Sequence, residues 1–339
     1  MSIRVGRRTV LGGLATVPMA LSSVRAATAR VKIGFIPVLG SAQLFVMVGE
    51  GWLRDSGLNA EVIRFDSGPV MMQALASGQL DAYVGGVGPI MVARGQGIDV
   101  KVVAALAINE LAVLARGTFA DAMASNDRLL GAVESFTGKA GRKPKFATQP
   151  PGSVPDTFLR YWIDQISGVG FDRVEILGIG IDATQQVFLS GAVDAAIVRE
   201  PALTLIRDRE PSAALVATGG QMFPNQPGSV LAVYRPDAPD RVELVETLVR
   251  LTVQATELLI HQPKRAAPHI LKILAAGILP LDLIERALVS PASRFISNPA
   301  NIVEPTQRML DYQVTLGVVK QAVLAAPAFD LDTYRRVTL

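Results

Sequence analysis

Ten consecutive residues of this chain occur twice in nearly the same form. Gln73-Ala-Leu-Ala-Ser-Gly-Gln-Leu-Asp-Ala82 returns 113 positions later as Gln186-Val-Phe-Leu-Ser-Gly-Ala-Val-Asp-Ala195. Upstream, Val62-Ile-Arg-Phe-Asp-Ser-Gly68 is matched by Val174-Glu-Ile-Leu-Gly-Ile-Gly180. Each copy reads as strand, helix, strand. A β-branched run ends in small residues, and a helix of about ten residues follows. Ser-Gly then stops that helix, because glycine accepts the left-handed conformation just past a helix end. A second apolar strand runs to Gly85-Gly-Val-Gly-Pro89 in one copy and to Arg199-Glu-Pro201 in the other. Two matched βαβ units so spaced predict two similar α/β lobes that offer the carboxyl ends of their strands to a ligand.

The bulk composition agrees. The chain has 339 residues, 50% of them hydrophobic and only 19% charged. That is enough for two substantial cores, and the apolar balance suits parallel strands covered on both faces. No run beyond the N-terminal segment reaches the roughly 18 uncharged apolar residues of a membrane span. There is no cysteine, which excludes disulfides, thiol catalysis, cysteine-ligated metals and lipid attachment through an N-terminal cysteine.

The N-terminus reads as a targeting segment. Arg4, Arg7 and Arg8 precede an apolar run from Thr9 to Leu21, and small residues offer cleavage after Ala26 or Ala29. Arg7-Arg8 followed by Thr-Val-Leu resembles a twin-arginine export signal; an ordinary secretory signal containing two arginines is the other reading. Either way the expected protein is periplasmic and soluble. Losing residues 1–26 takes the formal charge from +3 to −1. A nucleic-acid or anionic-membrane partner then has no electrostatic support.

Residues 1–29 are thus expected to be the export signal. Val31 to Ile36 is a strand that breaks at Pro37-Val-Leu-Gly-Ser41, and Ala42 to Gly51 reads as a helix. Val100 to Leu106 and Leu111 to Ala115 are further strands. From Arg116 to Lys145 the chain turns polar, which marks a crossing into a second lobe. Lys145-Phe-Ala-Thr148 opens that lobe, and a helix from about Pro155 to Gln165 precedes the second repeat. Ser229 to Tyr234 returns to the first lobe. Lobe I is therefore residues 30–116 with 230–339, and lobe II is 117–229, the two sharing a two-segment hinge. Helices over Val242–His261, Lys264–Ala276, Leu281–Leu288 and Pro305–Leu316 are expected to pack on the first lobe and to carry little chemistry.

Three segments place a helix N-terminus directly after a strand: Gly40-Ser-Ala-Gln43, Asp66-Ser-Gly-Pro69 and Pro151-Gly-Ser-Val-Pro155. Proline suits the first helical turn, and Ser67 and Ser153 suit the cap. Helix N-termini leave N–H groups unpaired and carry partial positive charge, so they receive anions. Taken singly, each is an ordinary cap; three converging from two lobes would make an anion site. Gly85-Gly-Val-Gly88 either admits a ligand close to the backbone or makes a plain turn. Glu200 is an acid at the end of a buried strand, and needs a partner. It pairs either with a basic residue such as Arg199 or with a ligand amine. Lys139, Arg142, Lys143 and Lys145 read as a solvated loop. Catalytic signals are weak. The two histidines, His261 and His269, are remote from the glycine loops. No paired metal-ligand spacing, nucleophile elbow or phosphate loop appears.

Ile33-Gly-Phe-Ile-Pro37, Glu50-Gly-Trp-Leu53, Ser56-Gly-Leu58, Phe65-Asp-Ser-Gly-Pro69, Ala74-Leu-Ala-Ser-Gly78, Leu80-Asp-Ala82, Ala147-Thr148, Gly152-Ser153, Ser190-Gly191, Val193-Asp-Ala195 and Glu200-Pro201 together resemble the nitrate/sulfonate/taurine branch of substrate-binding proteins for ABC importers. The match runs from about residue 31 to 235. The resemblance implies a type II periplasmic-binding fold with no catalytic residue, no metal and no cofactor. Its partners would be a small anionic or zwitterionic solute and the permease and ATPase of an inner-membrane importer, the protein itself being a monomer. First-lobe contacts would fall on Ser41, Ala42, Gln43, Ser67, Gly68, Gly86, Val87 and Gly88, and second-lobe contacts on Gly152, Ser153, Val154 and Glu200. The sequence departs from many members at Gly85–Gly88, where a polar side chain often binds. A sulfonate or taurine-like anion is the expected solute, with nitrate, bicarbonate or a thiamine-pathway pyrimidine as alternatives. A thiamine-pyrimidine synthase shares the fold, but it relies on an active-site histidine and a cysteine-rich iron motif, and this chain has no cysteine and no histidine near the cleft loops. A sensor would need a further signalling domain.

Overall fold

A computed structural model describes residues 30–274 and 279–338; the expected export signal lies outside the described residues. In chain order the strands are β1 (Arg30–Phe35), β2 (Asn59–Arg64), β3 (Ala82–Gly86), β4 (Val100–Ala105), β5 (Ala107–Ile108), β6 (Ala112–Ala115), β7 (Lys145–Thr148), β8 (Glu175–Gly178), β9 (Ala195–Val198), β10 (Ala214–Thr218), β11 (Ser229–Tyr234) and β12 (Arg294–Phe295). One five-stranded sheet runs β2-β1-β3-β11-β4 and a second β10-β6-β9-β7-β8, while β12 and β5 form a small two-stranded ribbon. Helices flank both five-stranded sheets. The chain is α/β with two lobes, as its repeat implied.

The repeat accounts for the matching halves of these sheets. β1 is parallel to β2 and β3, and β7 is parallel to β8 and β9. The helices between them, Gly68–Ala76 and Ile181–Leu189, end in the same way. Gly78 and Gly191 adopt φ of +74° and +75°. Gly78 N–H donates to Leu75 O and Gln79 N–H to Ala74 O, while Gly191 N–H donates to Phe188 O and Ala192 N–H to Val187 O. This double bond pattern closes the exposed carbonyls of a helix end and requires the left-handed residue.

The fourth strand of each sheet comes from the other half of the chain. Antiparallel β11 lies beside β3, and antiparallel β6 lies beside β9. The sequence placed residues through 116 in the first lobe; β6 belongs instead to the second sheet, because its backbone groups pair with β9 and β10. The crossings are therefore the short segments on either side of Asn109 and Gln226. They lie side by side, with Asn109 N–H donating to Gln226 O at 2.9 Å and an antiparallel bridge between Ile108 and Pro227.

The polar stretch after Arg116 holds two helices, Gly117–Ala124 and Leu129–Ala140. The C-terminal helices fall close to expectation at Val242–His261, Pro263–Leu274, Leu281–Leu288 and Val303–Thr315. The first two pack on the Ala42–Gly49 helix of the first lobe. Leu281–Leu288 also reaches Ala202–Arg209 of the second lobe, and Val303–Thr315 bridges Val87–Gly95 to Val154–Tyr161. The C-terminal tail therefore touches both lobes. Among the described residues no helix is long and apolar enough to cross a membrane.

Candidate functional site

The lobes meet where the parallel strands end. The loop after β1 touches the loop after β9, with Leu39 N–H donating to Glu200 O at 2.8 Å. The residue after β2 and Phe65 meets the start of the Ile181–Leu189 helix, with Ile181 N–H donating to Asp66 O at 3.2 Å, and Arg64 forms an ion pair with Asp182 beside it. At the end of β3 glycines let the two lobes approach each other. A methyl group built on Gly86 would lie 2.8 Å from Val154 Cγ2, and one on Gly88 would lie 2.8 Å from Gly152 O. Glycine here admits the opposite lobe, a role that neither sequence reading of Gly85–Gly88 foresaw.

The expected residues divide into two groups. Gly68, Gly86, Val87, Gly88, Gly152, Ser153, Val154 and Glu200 gather at the loops where the lobes meet. A methyl on Gly68 would press on Tyr83 Oη and Pro89. Ser67 is buried at the N-cap of the Gly68–Ala76 helix, but its side chain accepts no capping hydrogen bond from the helix. Ser153 Oγ accepts Asp156 N–H at 3.3 Å as a true cap. Ser41, Ala42 and Gln43 are buried and committed within the first lobe. Ser41 Oγ donates to Ile36 O at 2.8 Å. Gln43 donates to Leu106 O at 2.8 Å and to Thr256 Oγ1 at 3.3 Å, because helix periodicity turns it toward the Val242–His261 helix. It braces the fold, and its expected ligand contact is not supported by this geometry.

Glu200 also differs from both sequence readings. Its carboxylate accepts Thr204 N–H and Thr204 Oγ1–H, each at 3.0 Å, so it caps the Ala202–Arg209 helix. Burial pushes its pKa up, against the pull of hydrogen bonds from Ser290 and Thr204. Arg199 does not pair with it. Arg199 faces Glu110, a residue the sequence reading passed over, with Nε 2.9 Å from Oε1 and both side chains nearly inaccessible. The contact is an ion pair whose direction misses hydrogen-bond geometry, and Nη1 and Nη2 of Arg199 are buried with no hydrogen-bond partner among the described residues. The Ser229 hydroxyl donates to both Glu110 oxygens, at 3.0 and 3.1 Å. Tyr83 Oη, whose pKa burial raises, donates to Gly86 O at 2.8 Å. Gly86 lies beside Arg199, since a methyl built there would be 3.4 Å from a terminal guanidinium nitrogen.

The only sequence signal for Glu110 is an acid bracketed by two apolar strand segments at a crossing, where burial without a cation is costly. Elsewhere the charges are structural. Arg142 grips Asp194 through two nitrogens, His261 pairs with Glu257, and His269 pairs with Glu50. Arg265, ahead of His269, helps hold the Glu50 carboxyl below its ordinary pKa.

Arg199 lines a cavity of ≈ 300 Å³ between the lobes, together with Pro37, Val38, Gln149, Thr184 and Glu200. A larger groove of ≈ 460 Å³ lies on the other side of the Gly88–Gly152 contact, walled by Pro69, Met72, Pro89, Val92, Pro151 and Val318. The smaller cavity holds the charged chemistry. A guanidinium with two bare NH₂ groups in a poorly solvated gap is suited to a bidentate oxyanion.

The model of the NMT1-like family matches residues 25–275. A protein of Brucella abortus strain 2308, described provisionally as a binding protein, is 24% identical over 271 residues, 79% of each chain. Among solved structures, the alkanesulfonate-binding protein SsuA of Xanthomonas axonopodis pv. citri, bound to MOPS, is similar at 22% identity with a TM-score of 0.70, over 90% of this chain and 99% of that one. The periplasmic nitrate-binding protein NrtA of Synechocystis PCC 6803 is similar at 15% identity with a TM-score of 0.76, over 92% of this chain and 88% of that one. These likenesses are in fold.

Proposed function

The chain belongs to the NMT1-like family, and from that membership and the architecture of its gap we propose that it is an extracytoplasmic solute-binding protein. It captures a small organic anion between its lobes and delivers it to an ABC-type importer. The fold neighbours that bind sulfonate and nitrate support this reading. So does the description of the Brucella relative. The observation that carries it is Arg199, a residue that lines the interlobe cavity and whose terminal nitrogens are buried without a hydrogen-bond partner among the described residues. Lobe closure around such a group excludes water and strengthens each polar contact.

The cavity favours an organic anion over nitrate. Its ≈ 300 Å³ is about ten times the share of one water molecule, and Val38, Ile197 and Leu205 add apolar walls. Binding rather than turnover fits the buried acids, since Glu110 faces Arg199, Asp156 faces Arg160, and Glu200 caps a helix. The test is a thermal-shift screen of the purified protein against alkanesulfonates, taurine, carboxylates, nitrate and pyrimidines. A bound ligand raises Tm by mass action. Sulfonates or carboxylates are expected to raise it and nitrate to raise it less; stabilisation by pyrimidines alone, or by nothing, overturns the reading.

A further inference from the structure

Arg199 is not a free cation awaiting an anion, because Glu110 already stands against its Nε edge at 2.9 Å. Both side chains are almost fully buried, so their charges are poorly screened. An anion bound at Nη1 and Nη2 would place two negative groups on one guanidinium in a gap with little water. Like charges that close do not both stay ionised at low cost. The groups facing Glu110 narrow the response. Ser229 of β11 donates its single proton toward the two carboxylate oxygens. The backbones of the loop after β1 and of the return crossing press in at Gly40 and Gly228. The charged or titratable groups that act on Glu110 are Arg199 and Tyr83, and the phenol already donates to Gly86 O. Among the described residues no second cation acts on Glu110.

We propose that Glu110 couples solute capture to a proton: binding of a monoanion at Arg199 draws one proton onto Glu110, and a dianion, which the single guanidinium beside Glu110 cannot balance, is excluded. The proposal deepens the binding-protein reading and rests on it. With Glu110 protonated, guanidinium and bound monoanion form a neutral pair that the buried gap tolerates; a dianion leaves an uncompensated charge there. Burial pushes the Glu110 carboxyl upward, against the opposing pull of Arg199 and Ser229, and a second anion on the same guanidinium acts in the same direction. The sign follows from linkage. The bound state takes up a proton, so affinity falls as pH rises, by up to about tenfold per unit while one proton is exchanged.

The test is calorimetric titration of the full chain with ethanesulfonate and butanoate as monoanions and sulfate as dianion, at pH 6 and pH 8. Bis-tris and imidazole serve as buffers, since sulfonate buffers would compete. The wild-type protein is expected to bind a monoanion about tenfold or more tightly at the lower pH, to take up close to one proton as judged from the two buffers, and to ignore sulfate. Glu110→Gln is expected to hold its affinity across the same pH change without proton uptake and, being as neutral as the protonated acid, still to exclude sulfate. Arg199→Gln is expected to weaken binding tenfold or more at both pH values. The wild-type proton count stands on its own should the Glu110 variant fold poorly. Monoanion binding without proton uptake overturns this inference alone, as does Glu110→Gln keeping the wild-type slope. No binding of either monoanion to the wild-type protein overturns the parent reading with it.

Discussion

Asp81 and Asp194 do the same work in the two lobes. Asp81 accepts the backbone N–H of Lys32 at 2.7 Å and an Arg241 nitrogen at 2.6 Å. Asp194 accepts the N–H of Lys145 at 2.8 Å and two Arg142 nitrogens at 2.6 and 2.8 Å. Each aspartate also donates its own N–H to the carbonyl of that lysine. The repeated Asp-Ala is therefore a clasp that sets the register of β3 on β1 and of β9 on β7.

Asp81→Ala and Asp194→Ala should each lower stability by about 1–3 kcal/mol, the usual cost of removing a charged hydrogen-bond acceptor. Urea unfolding checks this, with solute affinity unchanged in the folded variants. Equivalent roles require similar losses, and a large loss at only one site would refute the equivalence.

That clasp also shows what the sequence could reveal. A repeat is legible when both copies carry the same duties: the glycine stop depends on neighbours close in the chain, and the aspartate clasp holds a strand 49 positions back in each copy. The assignment of β6 to the second sheet was not legible, because Ala112–Ala115 is equally apolar in either lobe and only its partners decide. The Arg199–Glu110 pair joins positions 89 apart through the crossing, and no periodicity marks it. Glu200 was singled out correctly as a buried acid, but its partner lay in the helix just after it. Gln43 sat at a helix start, as read, yet one step of rotation turned it into the first-lobe interior.

Closure should respond to a single methyl group. Gly86→Ala forces Cβ against Val154 and Arg199, and overpacking of this kind costs about 1–3 kcal/mol. Solute affinity should fall about tenfold, and small-angle scattering should show a more open average shape. Gly86→Ala combined with Val154→Ala should recover most of the loss, because the methyl then has room. No recovery in the double variant would mean that the lobes do not close at this contact.

The Arg64–Asp182 ion pair spans the gap at its edge, but both side chains are well exposed, at 42% and 59%. Exposed pairs contribute about 0–1 kcal/mol and weaken with salt. Arg64→Gln should therefore change affinity by less than about fivefold, with the difference vanishing in high salt. A larger loss that salt does not erase would identify Arg64 as a ligand contact.

Glu200 yields a pH-dependent prediction whose sign is fixed by burial. Its carboxyl is raised in the folded chain, first by desolvation and against hydrogen bonds from Ser290 and Thr204, from an unfolded value of 4.5. Below that value the group is protonated in both states and its favourable contribution is fully present. As pH rises toward and through the folded value, the folded chain pays for an ionised buried group and the contribution is lost. Glu200→Gln cannot ionise, and its amide oxygen can still accept Thr204 N–H, so the cap largely survives. The difference in Tm, variant minus wild type, should therefore grow from pH 4 to pH 8. Comparing the two proteins at each pH cancels the similar drift from Glu110 and Asp156, both also raised by burial. Because Glu200 serves the helix cap, the variant's preference between taurine and ethanesulfonate should match the wild type. A difference in Tm that stays flat with pH would mean the carboxyl is not desolvated, and a selective loss of taurine binding would restore the amine contact that the Thr204 bonds now argue against.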